Sequence, residues 1–117
     1  MVKAMNINNF QDPIITEELR LKVPNEFREA WLQAEQKVWD PWLSSKDGFL
    51  GRQLFWDKER EEALILVKWK NKKSWKNIPI SEVNEVQEKF EDNVKTALNI
   101  SENPFQLIYQ GELDKQA

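Results

Sequence analysis

Ala63-Leu64-Ile65-Leu66-Val67-Lys68-Trp69 decides the fold. Successive side chains of an extended chain point to opposite faces. Here Leu64 and Leu66 share one face, and Ile65, Val67 and Trp69 share the other. A strand apolar on both faces is buried on both faces. It belongs in the middle of a sheet, with a layer over each side.

Upstream, across the charged turn Lys58–Glu61, Phe49–Asp57 reads as a second strand. Gly48 and Gly51 serve as backbone devices where the chain turns into it. Further upstream, Ile14–Val23 alternates from residue 17 onward. Leu19, Leu21 and Val23 fall on one face; Glu18, Arg20 and Lys22 fall on the other. Between these strands, Phe27, Trp31, Ala34, Val38 and Trp42 recur at close to helical spacing and form one apolar stripe. Asn25 is placed to cap that helix. Pro41 removes a backbone donor and crowds the turn before it, so a kink or stop is expected near Trp39-Asp40.

Downstream, Asn71–Ile78 reads as a short helical turn that Pro79 ends. Ser81 is placed to cap a second long helix carrying Val83, Val86, Phe90, Val94, Ala97 and Leu98, with Asn99 as its stop. Pro104–Leu113 reads as the last strand, with Phe105, Leu107 and Tyr109 alternating against Gln106, Ile108 and Gln110. The order is β-α-β-β-α-β. The expected class is α+β, a ferredoxin-like arrangement with a four-stranded antiparallel sheet. Right-handed crossovers put both helices on one sheet face and make the first and third strands central. An irregular arm is expected over 1–13, the domain over 14–113, and a tail over 114–117.

Composition narrows the function classes. The chain has 117 residues, a net charge of −3, no histidine and no cysteine. The commonest acid/base group, metal ligand and thiol nucleophile are therefore missing. Basic residues are interleaved with acids, so no nucleic-acid footprint is expected. The absence of cysteine fits a reducing cytoplasm. No apolar run is long enough to span a bilayer, and the first residues lack the apolar core of a secretory signal. No Gly-rich phosphate loop or calcium-loop spacing occurs, so neither a metal nor a cofactor site is expected. The carboxylate pairs Glu17-Glu18, Glu59/Glu61/Glu62 and Glu88/Glu91/Asp92 read as solvated surface. Six tryptophans, Trp31, Trp39, Trp42, Trp56, Trp69 and Trp75, suit either core packing or the walls of a cavity for a flat ligand.

Three passages carry a resemblance to a known family: Leu19-Arg20-Leu21-Lys22-Val23-Pro24, Asp47-Gly48-Phe49-Leu50-Gly51, and Leu66-Val67-Lys68-Trp69 running on to Trp75. With them the chain resembles the dimeric α/β-barrel superfamily, near antibiotic-biosynthesis-monooxygenase-like domains. Within it, the Trp-x5-Trp passage and the Pro-Trp late in the first helix resemble an uncharacterised cyanobacterial set. The resemblance implies a homodimer packed sheet to sheet. It also implies cofactor-free oxygenation or isomerisation of a small apolar or aromatic molecule. Haem-using members rely on a histidine, which this chain lacks. Arg20, Trp69, Trp75 and Asn77 are the nearest match to the polar set of the quinone-forming oxygenases.

The polar row Glu18, Arg20, Lys22 on a central strand needs partners or water. Two readings stay open. Arg20 pairs with an acid across a dimer, such as the other copy's Glu18, or it faces a wet pocket. In the second reading Arg20, Phe55, Trp69 and Gln106 border the pocket and Trp75 forms its rim; no catalytic residue is assigned. The alternative to a ligand-binding protein is a non-catalytic barrel for dimerisation or protein contact. A cavity favours the first and a filled face the second.

Overall fold

The computed structural model describes residues 14–117. The expected N-terminal arm lies outside the described residues. The element order is β1 (Ile15–Lys22), a 3₁₀ turn (Asn25–Phe27), α1 (Arg28–Ala34), a π-helical segment (Glu35–Trp39) and α2 (Asp40–Ser44). Then come β2 (Phe49–Asp57), β3 (Glu62–Trp69), α3 (Lys72–Lys76), α4 (Ile80–Leu98) and β4 (Leu107–Leu113).

The strands form one antiparallel sheet in the order β2-β3-β1-β4, so β1 and β3 are central. The register sorts the side chains. Ile15, Glu17, Leu19 and Leu21 lie opposite Trp69, Val67, Ile65 and Ala63. This face packs under the helices, and Ala63, Ile65, Val67 and Trp69 are almost fully buried with Phe90, Val94 and Phe105. The other face holds Glu18, Arg20 and Lys22 opposite Leu66, Leu64 and Glu62. Leu64 and Leu66 are only half-buried there, while Phe55 and Tyr109 are exposed.

Two bulges break simple alternation, since each inserts one unpaired residue. One lies between Phe49 and Gly51 in β2. The other removes Ile108 from register in β4, so Leu107 and Gln110 both face the helices while Tyr109 faces away. The expected alternation of Leu107 with Tyr109 therefore fails. β4 also starts three residues later than expected. Tyr109 lies over Gly111, where any Cβ would collide with its hydroxyl.

The first helix changes gauge rather than stopping. Pro41 has no N–H and its ring excludes the carbonyl four residues back. Ahead of it the helix widens, and the Asp40 N–H reaches back five residues to the Glu35 carbonyl. The expected disturbance at Trp39-Asp40 is thus a π-helical segment. Asn71 caps α3 by accepting from the Ser74 N–H at 2.8 Å. No side chain caps α4; Ser81 lies inside it. Asn99 ends α4 with φ 53°, the left-handed conformation that asparagine tolerates at helix ends.

Candidate functional site

A cavity of about 410 Å³ lies between the sheet and the helices. Its floor is the helix-facing row of the sheet: Leu19, Ile65, Val67 and Trp69. Four tryptophans line it, Trp39, Trp42, Trp69 and Trp75. Trp39 and Trp42 come from the π segment and α2, meeting edge to face at 5.6 Å. Phe105 closes one side. Leu107 and Ile80, about half and about three-quarters exposed, mark a mouth along β4 and the start of α4.

Polar groups inside are few. Glu17 rises from β1 into the cavity and is 9% exposed. Trp69 Nε1 donates to Glu17 Oε1 at 3.2 Å, and the Gln110 amide supports the same carboxylate. Burial pushes the Glu17 carboxyl above the usual range. Trp69, Gln110 and the charge of Lys76 pull against it without prevailing.

Glu35, from the π segment, is more deeply buried but fully engaged. Arg52 Nη1 donates to Glu35 Oε1 at 2.7 Å and Nη2 to the Glu35 carbonyl at 3.1 Å. Arg52 Nε donates to Asp40 Oδ1 at 2.7 Å. Burial raises the Glu35 carboxyl, Arg52 opposes this, and Asp40 pushes it up again. Near the mouth, Trp42 Nε1 donates to Glu82 Oε1 at 2.9 Å, and Lys46 pairs with the same oxygen. Lys46, with Trp42, holds the partly exposed Glu82 carboxyl below the usual range. The Lys76 ammonium sits 3.9 Å over the Trp75 ring.

The residues expected to share one pocket are divided by the sheet. Trp69 and Trp75 line the cavity. Arg20 and Phe55 stand opposite Leu64 on the other face. Gln106 precedes β4 with its side chain exposed and its carbonyl accepting from the Lys22 N–H at 2.8 Å. The reason is register: Trp69 pairs with Ile15, which has the parity of Leu19 rather than Arg20. Arg20 Nε pairs with Glu18 Oε2 of its own chain at 2.7 Å. Asn77 is not among the residues that line the cavity with Trp69 and Trp75.

Glu17 and Glu18 are buried, not solvated as expected. The signal was present, because Glu17 has the parity of Leu19 and Leu21 and so points under the helices. Glu35 and Arg52 were not singled out. A charged residue in a helix and one on a glycine-broken strand give no periodic sign of facing each other.

Glu17 leaves a mark on stability. A carboxyl raised in the folded state holds its proton to higher pH than in the unfolded chain. Folding is then favoured below the unfolded value, and that contribution is lost as pH rises through the folded one. Glu17→Gln removes the loss. Its melting temperature should exceed that of the parent at neutral pH. The gap should close in acid; thermal melts across pH check this.

Comparison with known proteins places the fold. No protein-family model and no curated protein sequence matches the chain. Solved structures do. A protein from Bordetella bronchiseptica, assigned without proof of activity to the antibiotic biosynthesis monooxygenases, matches with a TM-score of 0.61 at 15% identity, covering 89% of this chain and 98% of its own. SnoaB of Streptomyces nogalater, a cofactor-independent oxygenase, matches with a TM-score of 0.53 at 11% identity, covering 89% and 94%. A conserved protein of Methanosarcina mazei Go1 matches at 0.52 and 12%, covering 88% and 93%. The chain has the α+β, ferredoxin-like fold of antibiotic-biosynthesis-monooxygenase-like domains. No helix among the described residues is long and apolar enough to cross a membrane.

Proposed function

We propose that this is a cofactor-free protein that takes a small, flat, largely apolar molecule into the cavity between sheet and helices. The observation that carries the reading is the cavity itself: about 410 Å³, walled by four tryptophans, with few polar groups. Ligand sites are commonly of this size and make-up. The likeness in fold to SnoaB, a cofactor-independent oxygenase, is compatible with chemistry that needs no bound metal or organic cofactor. Oxygenation and isomerisation are the two candidate reaction classes. The outer sheet face, with half-buried Leu64 and Leu66 beside exposed Phe55 and Tyr109, supports a homodimer. The lack of cysteine is in keeping with the cytoplasm. The other reading, a barrel kept only for dimerisation or protein contact, leaves the cavity without a purpose.

The test is a titration with 2-tetralone, a flat bicyclic ketone, followed by tryptophan emission. Saturable quenching is expected. Val83 lines the cavity from α4, and Val83→Trp should fill the space and abolish saturation while emission still reports a folded chain. Equal, non-saturating quenching of both proteins would leave only the dimerisation reading.

A further inference from the structure

The cavity holds one acid without a counter-ion. Glu35 is engaged by Arg52, and Glu82 by Lys46. Glu18, on the outer face, is engaged by Arg20. Glu17 is as buried as Glu18, yet among the described residues no cation lies within ion-pair distance of it, and Lys76 acts on it only at longer range. A carboxylate offers about four lone-pair sites. Trp69 Nε1 occupies one and the Gln110 amide assists, which leaves acceptor capacity in the cavity.

A buried carboxylate with no counter-ion is costly to keep. An apolar residue of the same parity as Leu19 and Leu21 would pack there without that cost. The position is instead a base, oriented on a rigid central strand by an indole N–H. Around it, each packed element contributes something identifiable. β2 brings Arg52, already paired with Glu35 and Asp40. β4 brings Gln110 and also Glu112, opposite Glu17 in register and paired with Lys72 at 3.3 Å. α3 brings Lys76, and α4 brings Gln87. Lys76 and Gln87 are hydrogen-bond donors lining the same space as the base.

We propose that Glu17 exchanges a proton with the bound molecule, and that this molecule is a flat carbonyl compound with a weakly acidic C–H next to the carbonyl. The proposal rests on the cavity being a ligand site. Glu17 takes the proton from carbon. The C–H electron pair becomes the C=C bond of an enolate, and the carbonyl π pair moves to oxygen. Lys76 lines the cavity as a donor for that oxygen, as does Gln87, whose Nε2 also donates to Glu91 Oε2 at 3.0 Å. Glu17 then returns the proton to the same carbon, or to a conjugated one, which gives an isomer. Nothing is oxidised or reduced, so no redox partner is needed. An oriented general base of this kind contributes about 10²–10⁴-fold.

The experiment uses 2-tetralone in D₂O, with NMR following deuterium uptake beside its carbonyl. The intact chain should accelerate uptake over buffer by about 10²-fold or more. The rate should rise with pH as Glu17 ionises, and Glu17→Gln should return it to the buffer rate with tetralone still bound. Gln110→Leu removes a donor that favours the ionised form of Glu17, so the pH midpoint of uptake should move upward. Saturable binding without accelerated uptake, or uptake unchanged in Glu17→Gln, would overturn proton exchange while leaving the ligand site standing. Absence of any tetralone binding would overturn both.

Discussion

Arg52→Met should destabilise the fold by about 3–5 kcal/mol, the usual result of stripping one partner from a buried ion pair. The Arg52 side chain is 6% exposed and that of Glu35 is 3% exposed, so neither water nor salt can replace what is lost. The same guanidinium also holds the Glu35 backbone carbonyl, where the helix is widest. Arg52→Lys should not rescue the loss, because one ammonium cannot reproduce a planar fork that bonds a carboxylate, a carbonyl and Asp40 together. Asp40 is 45% exposed. Asp40→Asn should accordingly cost under about 1 kcal/mol. The double change Glu35→Leu with Arg52→Met should recover most of the single-variant loss, since it removes both buried charges. Urea unfolding of the four variants measures all of this; a loss below about 1 kcal/mol for Arg52→Met would mean that the pair is solvated.

Leu66→Glu should turn a homodimer into a folded monomer. Leu66 lies on the outer sheet face of central β3, away from the helices and the cavity, opposite Glu18 on β1 and Gln53 on β2. A carboxylate there would face the apolar centre of a second sheet, and would also stand beside buried Glu18. A hot spot near the centre of such an interface carries about 2 kcal/mol or more, and a buried unpaired carboxylate there should make dissociation at least about 30-fold easier. Sedimentation of the unmodified protein at micromolar concentration should give about twice the 14.0 kDa chain mass. The variant should give one chain mass with an unchanged far-ultraviolet spectrum. A monomeric parent would leave the outer face solvated and remove the reason for its leucines.

Much of this architecture is readable from periodicity. β2 has the limits that its residues imply, and β3 the sidedness. Loss begins where one residue is added to a regular element. The extra residue at Ile108 moves Gln110 under the helices, and the one near Leu50 puts Phe49 and Arg52, of opposite parity, on the same inward face. The widened turn at Glu35–Trp39 does the same for a helix. Alternation and the 3.6-residue period assume an unbroken count, and all three sites interrupt it. Glu17 was hidden differently. Its parity was plain, but two adjacent acids look like surface, although on a central strand one of them must point inward.

The widened turn also has a meaning for where the cavity wall points. A π turn carries one residue more than an α turn. The segments on either side of Glu35–Trp39 are therefore out of phase with each other. Upstream, Trp31 and Ala34 fix the helix to the core; downstream, Trp42 and Leu43 shape the cavity wall. Because the two are not bound to one continuous period, Trp42 and Leu43 point where no uninterrupted α-helix running on from Trp31 and Ala34 would aim them. The cavity wall thus stands on a half of the helix whose phase is set separately from that of the anchored half.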